Sequence, residues 1–298
     1  MATRLPIGGH CDEALYALTG APTEKLVLEN YETDELWDIL SNADENKYAM
    51  RCAVGAEDFE GEHDYKGLAS NHAYTLVGVL VVDDTQLVRI RNPWGHVEWN
   101  GDWCDDSDLW TDELKRQHGV TEANDGIFHM SIDDFKEEYD SVTICKIHDD
   151  YVFENVKCSK SESGNGSTFS IKKKSRVFLS LTQKMYRQYS RDLNYYAFKS
   201  KIVLAKFGAD KTCELYGNAS KRYRQNTLLE VVLEPGEYVV WSDLEWDDDV
   251  PIHDYQLTVY SPGKTGLKAH PAGGALIGEI RAQATEGCSM ALRQMQLS

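Results

Sequence analysis

From Tyr151 onward the chain breaks into short β-type runs, and no other feature limits its fold as much. The runs are Tyr151 to Val156, Thr168 to Ile171, Arg176 to Leu181, Lys201 to Phe207, Thr227 to Leu233, Glu237 to Ser242 and Tyr255 to Tyr260. Each is rich in β-branched and aromatic residues and too short for an ordinary helix, and turn chemistry separates one from the next. Single strands cannot bury an apolar face, so this pattern predicts two antiparallel sheets packed as a sandwich. Glu234-Pro235-Gly236 is the turn between two strands, because Pro presets φ and Gly accepts a positive one. Ser159 to Ser167 (SKSESGNGS) reads as a polar loop. After Pro262 the chain becomes Gly- and Ala-rich and then weakly helical from Leu276, and pattern ties this tail to neither half.

Before residue 148 helical and strand signals alternate. Asp12 to Thr19 and Glu32 to Asn42 carry apolar residues at three- and four-residue spacing behind acidic starts, which predicts short amphipathic helices. Tyr48 to Val54, Ala73 to Val82 and Gln86 to Arg91 read as strands, with Asp83-Asp84-Thr85 as a hairpin turn. Ser107 to His118 is predicted helical behind a Ser cap, Ile132 to Tyr139 is a further helix, and Ser141 to Ile147 closes the half as a strand. The fold class expected is therefore α+β: a mixed domain at 1–148 containing an antiparallel sheet, an all-β sandwich at 149–262, and a tail at 263–298. A length of 298 residues fits two domains.

Composition removes several functions. Lys plus Arg number 31 against 49 Asp plus Glu, and a formal charge of −18 repels a phosphate backbone, so nucleic acid is not an expected partner. The seven cysteines are odd in number and scattered, without a CxxC pair, which suits reduced thiols in a cytoplasmic protein. No apolar run approaches the roughly 18 residues of a membrane span. Met1 to Gly9 lacks the basic-then-apolar pattern of a secretory signal.

The residues able to carry chemistry cluster about the predicted hairpin. His72 starts one strand and Asn92 ends its neighbour, so antiparallel pairing brings the two side chains together although 20 positions separate them. An imidazole beside an amide oxygen is a base with its orienter, the pair that a Cys-His-Asn peptidase needs to hold a thiolate and fix a tautomer. Trp94, in Arg91-Asn92-Pro93-Trp94-Gly95, is placed to shield that bond from water.

His72-Ala73-Tyr74, Arg91-Asn92-Pro93-Trp94-Gly95, Val97-Glu98-Trp99-Asn100-Gly101-Asp102-Trp103 and Asp125-Gly126-Ile127-Phe128-His129-Met130-Ser131 together resemble the second half of the calpain protease core. The likeness extends upstream through Gly8-Gly9, Glu13-Ala14-Leu15 and Leu18-Thr19-Gly20, and downstream into a calpain-type β-sandwich, over residues 5 to 262. It implies a papain-like half-core, with His72 as general base, Asn92 as its orienter and Trp94 packed over both. Asn71 stands where many relatives have Gly. The resemblance also implies calcium, bound by the carboxylates of Glu98, Asp105 and Asp125 and the carbonyl of Ala123; hard oxygen donors suit that ion. Ile127 occupies a position where relatives often offer a glutamate, which weakens the expected site.

The family's nucleophile lies in a preceding subdomain, in a Gly-x-Cys-Trp setting at a helix N-terminus, and these 298 residues contain no such segment. Cys11 precedes the acidic Asp12-Glu13 pair, Cys52 falls in a predicted strand, and Cys104 lies among Asp102, Asp105 and Asp106, settings that disfavour a thiolate. The expectation is a calcium-dependent cysteine endopeptidase of protein substrates whose cysteine half comes from a missing segment or a separate chain. The alternative is an inactive relative that binds calcium or a partner. In the sandwich, Trp241 to Asp249 reads as an acidic loop with five carboxylates in seven residues. Lys172-Lys173-Lys174 with Arg176, and Lys221-Arg222 with Arg224, are expected to meet that loop or to touch anionic lipid. Gln183 to Arg187 resembles a Gln-x-x-x-Arg stretch common in these sandwiches and reads as structural.

Overall fold

Strand-forming residues dominate both halves of the computed structural model, which divides into two units, residues 1–148 and 149–298. The structure describes residues 11–55, 66–121, 123–161, 164–184, 189, 195–207, 213–221, 226–246 and 254–270. Gly8-Gly9, Met185 to Arg187, Arg222, Arg224, Asp247 to Asp249 and the predicted helix from Leu276 lie outside them.

The first unit runs α1 (Cys11–Thr19), β1 (Thr23–Val27), α2 (Thr33–Glu45), β2 (Ala49–Val54), β3 (His72–Val82), β4 (Thr85–Arg91), α3 (Asp112–His118), β5 (Ile127–Ser131), α4 (Ile132–Glu138) and β6 (Ser141–Cys145). Its six strands form one antiparallel sheet in the order β1-β6-β2-β3-β4-β5. Side chains alternate between the faces, so Met50, Cys52, Tyr74, Leu76, Ile90 and Phe128 share a core with Leu36 and Leu40 of α2 and Phe135 of α4. Leu36 and Leu40 are fully buried, each contributing about 1.5–3 kcal/mol of apolar transfer. A second cluster joins Val82 and Leu87 to Trp103, Trp110 and Val120.

The β3–β4 hairpin closes through Asp83 and Asp84, whose φ angles of 45° and 68° are the paired positive values of a two-residue hairpin turn. Thr85, expected in the turn, already pairs with Val82. The helix predicted from Ser107 starts only at Asp112, capped by Thr111 Oγ1, which accepts from Leu114 N at 3.2 Å. Residues 107–110 turn instead, because the Trp110 indole donates to Trp103 O at 3.0 Å and is drawn into the second cluster. The edge strands β1 and β5 carry no clear alternation of apolar and polar residues, and sequence reading did not separate them.

The second unit is all β: β7 (Val152–Ser159), β8 (Asn165–Ile171), β9 (Ser175–Thr182), β10 (Ser200–Phe207), β11 (Cys213–Lys221), β12 (Asn226–Leu233), β13 (Gly236–Leu244), β14 (Asp254–Ser261) and β15 (Lys268–His270). Two sheets, β11-β10-β13-β8-β15 and β12-β9-β14-β7, enclose a core that includes Val177, Leu179, Ile202, Leu204, Val240 and Leu257. The predicted loop at Ser159–Ser167 is shorter than expected, since Ser159 ends β7 and Asn165 begins β8. Gly164 makes this possible: at φ 76° its α-carbon lies so close to the Trp241 indole that a Cβ would approach Nε1 to 2.5 Å. The tail begins inside the sandwich, with β15 pairing along β8. Trp241 to Leu244, read as part of an acidic loop, belong to β13. Gln183 is buried and holds Phe198 by two backbone bonds of 2.8 Å.

Candidate functional site: a histidine held by a buried amide

The hairpin register decides which side chains meet. Val82 to Gly78 pair with Thr85 to Arg89, a one-residue irregularity follows at Val77, and pairing resumes with Leu76 opposite Ile90 and Thr75 opposite Arg91. His72 and Trp94, three positions further along either strand, lie opposite each other with ring centroids 4.0 Å apart. The Tyr74 ring meets the imidazole edge-on at 4.8 Å. Asn71 sits at φ 50°, a left-handed conformation that Gly adopts freely and Asn tolerates better than most residues.

Asn92 is fully buried and every polar group of its side chain is used. Nδ2 donates to His96 O at 2.8 Å and to Val97 O at 2.9 Å. Oδ1 accepts from Trp94 N at 3.1 Å and lies 2.9 Å from His72 Nε2. Two carbonyls on Nδ2 leave only one sense for the amide, and an amide oxygen can only accept. His72 Nε2 therefore carries a proton, and in the neutral ring Nδ1 keeps the free lone pair. Val97 has φ 65°, costly for a β-branched residue, and its carbonyl is one of the two that orient the amide.

Gly126 backs this arrangement. Its carbonyl accepts from Asn92 N at 2.7 Å, and at φ 86° a Cβ there would stand 2.7 Å from Asn92 O and 2.9 Å from the Gly95 α-carbon. Tyr74 OH accepts from Ala69 N at 2.7 Å, and burial pushes its hydroxyl up to about 12. Beside His72 lies a cavity of about 300 Å³ lined in part by Cys11, Arg51, Asn71, Asp140 and Ser141. Sequence reasoning placed His72, Asn92 and Trp94 but not the supporting roles of Tyr74 and Gly126, although both stand in the motifs it singled out. Trp94 covers the imidazole while remaining 55% exposed itself.

The residues expected to hold calcium are neighbours of this site. Glu98 Oε1 accepts from Gly126 N at 2.6 Å, Asp125 Oδ1 accepts from Ile127 N at 2.9 Å, and Ala123 O accepts from Asp125 N at 2.8 Å. Burial, then the charges of Glu98, Asp125 and Asp106, push the Asp105 carboxyl up to about 7. The donors are hard oxygens that repel one another, the chemistry a calcium ion relieves. As placed, no group of three His, Cys, Asp or Glu side chains among the described residues is gathered closely enough to hold a metal.

The described cysteines, Cys11, Cys52, Cys104, Cys145 and Cys158, are free thiols. Burial raises the thiols of Cys52, Cys104, Cys145 and Cys158. In the sandwich, Lys174 pairs with Glu234 at 2.6 Å and Arg176 with Glu230 at 3.3 Å. Among the described residues no helix is long and apolar enough to cross a membrane.

An imidazole with one nitrogen fixed by a buried asparagine and the other without a partner among the described residues is the arrangement found in the base half of a cysteine-type peptidase. Comparison with known proteins agrees. The family model described as calpain family cysteine protease matches residues 5–146. Calpain-9 of Rattus norvegicus is 34% identical over 159 residues, which are 50% of this chain and 23% of the relative. Calpain-14 of Homo sapiens is 38% identical over 147 residues, 47% of this chain and 21% of the relative. The calpain-type cysteine protease DEK1 of Arabidopsis thaliana is 33% identical over 150 residues, 47% of this chain and 7% of the relative. Over residues 5–146 this chain is thus similar to the calpain family of cysteine proteases, and it spans under a quarter of the length of these relatives.

Proposed function

We propose that this chain supplies the base-bearing half of a papain-like, calpain-type endopeptidase site acting in calcium-dependent, limited proteolysis in the cytoplasm. The observation that carries the reading is the 2.9 Å contact between His72 Nε2 and Asn92 Oδ1, with the amide pinned from behind. Nδ1 then faces away from Asn92, free to take a proton from a cysteine thiol. The thiolate attacks a peptide carbonyl carbon, the imidazolium returns the proton to the leaving amine, and water hydrolyses the thioester with His72 again as base. Asn92 stabilises the imidazolium and holds the ring in line, while Trp94 limits water on one face.

Among the described residues no cysteine sulfur lies within hydrogen-bonding distance of the His72 ring. The nucleophile in this reading belongs to a cysteine-bearing subdomain, supplied by a further segment or a separate chain, and the substrates are proteins. Calcium, held by Glu98, Asp105, Asp125 and the Ala123 carbonyl, would neutralise the repelling carboxylates. Gly126 connects that cluster to the base, since its N–H bonds Glu98 and its carbonyl bonds Asn92 N.

The four thiols raised by burial favour a second reading, a calcium- or partner-binding module without catalysis. One experiment separates the two. The native protein, isolated with any chain or segment that accompanies it, is treated with an epoxide-type thiol-directed peptidase probe with and without calcium. Calcium-dependent labelling that disappears in His72→Ala is expected. No labelling under either condition sinks the peptidase reading and leaves the binding module.

A further inference from the structure

In the second unit two loops enclose a cavity of about 280 Å³ that the proteolytic reading does not use. One is the turn Lys172-Lys173-Lys174 between β8 and β9, and the other is the link Pro262 to Leu267 between β14 and β15. Lys172 and Lys173 line it from the first loop and Lys264 from the second, with Ile171 and Pro262 supplying apolar wall. Among the described residues no carboxylate lies within ion-pair distance of these three ammonium groups, whereas Lys174 next to them is neutralised by Glu234 at 2.6 Å. In a chain of formal charge −18, three unneutralised cations around one concavity are an exception to the charge balance.

The walls are held in place independently of any ligand. Thr265 O accepts from Ser170 N at 2.9 Å and from Ser170 Oγ at 3.2 Å, which locks the link against β8. Ser261 Oγ donates to Gly263 O at 2.8 Å, and Ser175 Oγ donates to Lys173 O at 2.7 Å. Behind the link, Glu154 accepts from Thr265 N, from Thr265 Oγ1 at 2.7 Å and from Gly266 N at 3.1 Å. Its negative charge is thereby directed to the back of the loop, and the hydroxyl protons of Ser170, Ser175, Ser261 and Thr265 are committed to loop carbonyls or to Glu154. The lysines are the cations left to meet a ligand.

We propose that this cavity binds a phosphomonoester, with the phosphate among Lys172, Lys173 and Lys264 and the organic remainder against Ile171 and Pro262. Three compact point charges suit a phosphate dianion better than a single carboxylate, and the volume exceeds what a phosphate alone requires. The phosphate can reach the site on a soluble ester or on a lipid headgroup, and the test distinguishes them.

The full chain, free of calcium, is titrated with inorganic phosphate and with glycerol 3-phosphate at constant ionic strength while backbone amide shifts are followed. Saturable shifts confined to residues 170–175 and 261–265 are expected, with affinity falling about two- to fivefold in each of Lys173→Gln and Lys264→Gln. The same change at Lys136, in the first unit, leaves the affinity unaltered. A parallel arm measures sedimentation with phosphatidylcholine vesicles containing phosphatidic acid. Lysine-dependent binding in this arm alone assigns the phosphate to a headgroup, and binding of the soluble probes assigns it to a free ester. No saturable response in any arm, or a response that Lys173→Gln and Lys264→Gln leave intact, overturns the proposal.

Discussion

His129 offers the sharpest test of the physical reasoning, because the structure leaves it unsatisfied. It lies in β5, 1% exposed, with neither ring nitrogen bonded among the described residues. Arg89 stands directly opposite on β4, its Nε also without a partner, and the Trp110 ring meets the imidazole edge-on at 5.3 Å. Burial, then Arg89 and His118, lower the imidazole from 6.5 to about 4. The folded chain thus refuses a proton that the unfolded chain accepts. This contribution to stability is intact above pH 6.5, declines as pH falls through 6.5, and is lost in full by about pH 4. The interval between the two values corresponds to about 3 kcal/mol, of which about 2 kcal/mol is lost by pH 5. His129→Phe keeps a ring against Trp110 and removes the titration. Native-state hydrogen exchange of the β4 and β5 amides at pH 7 and pH 5 reads the opening free energy of this unit. The wild-type protein should lose about 2 kcal/mol more than the variant between the two pH values. The variant should also match or exceed wild-type stability at pH 7, since two unpaired buried nitrogens are gone. Equal losses in the two proteins would refute the argument.

Other expectations follow from the same structure. Asn92→Ala strands two carbonyls and the His72 N–H, so the first unit should lose about 1–3 kcal/mol in urea unfolding, and nitrogen-15 shifts should show the His72 proton redistributed between Nε2 and Nδ1. Gly126→Ala places a methyl 2.7 Å from Asn92 O at a left-handed φ; it should lower the melting temperature and disturb the His72 tautomer, whereas Gly119→Ala, with nothing within 4 Å, should cost only the backbone strain. Asp105 binds a proton more readily folded than unfolded, so its effect on stability worsens as pH rises from 3.8 toward 7. Asp105→Asn should therefore raise the melting temperature at pH 8 without calcium and abolish any rise that calcium produces in the wild-type protein.

Much of this was legible in the sequence because it depends on local rules. Ala73 to Val82 and Gln86 to Arg91 read as a hairpin from β-branched content and the Asp83-Asp84-Thr85 turn, one residue longer than the turn that forms, and the hairpin brings His72 to Asn92 whatever the rest of the chain does. Ser107 to His118 was over-read as helix because a Ser cap followed by apolar residues is a valid local signal. It lost to a long-range one, the Trp110 indole finding the Trp103 carbonyl within the second apolar cluster. The ammonium trio had the same limit. Lys172 and Lys173 are visible as a basic run, but Lys264 joins them only because Thr265 ties its loop to Ser170 across the sheet. His129 was equally silent, since a strand histidine looks the same with or without a partner for its nitrogens.

Under the proposed function, the asparagine shows how a half site can be complete in itself. An exposed amide beside an imidazole could flip, and either ring nitrogen could then hold the proton; the chemistry would depend on whatever docked against it. Asn92 has no such freedom, because His96 O and Val97 O fix Nδ2 while Trp94 N and His72 Nε2 occupy Oδ1. All of these partners belong to residues 72–97, and the loop among them is closed by Gly126 from β5's approach. The tautomer is consequently a property of this unit alone, and under the proposed function a cysteine-bearing partner would add the nucleophile and not the orientation of its base.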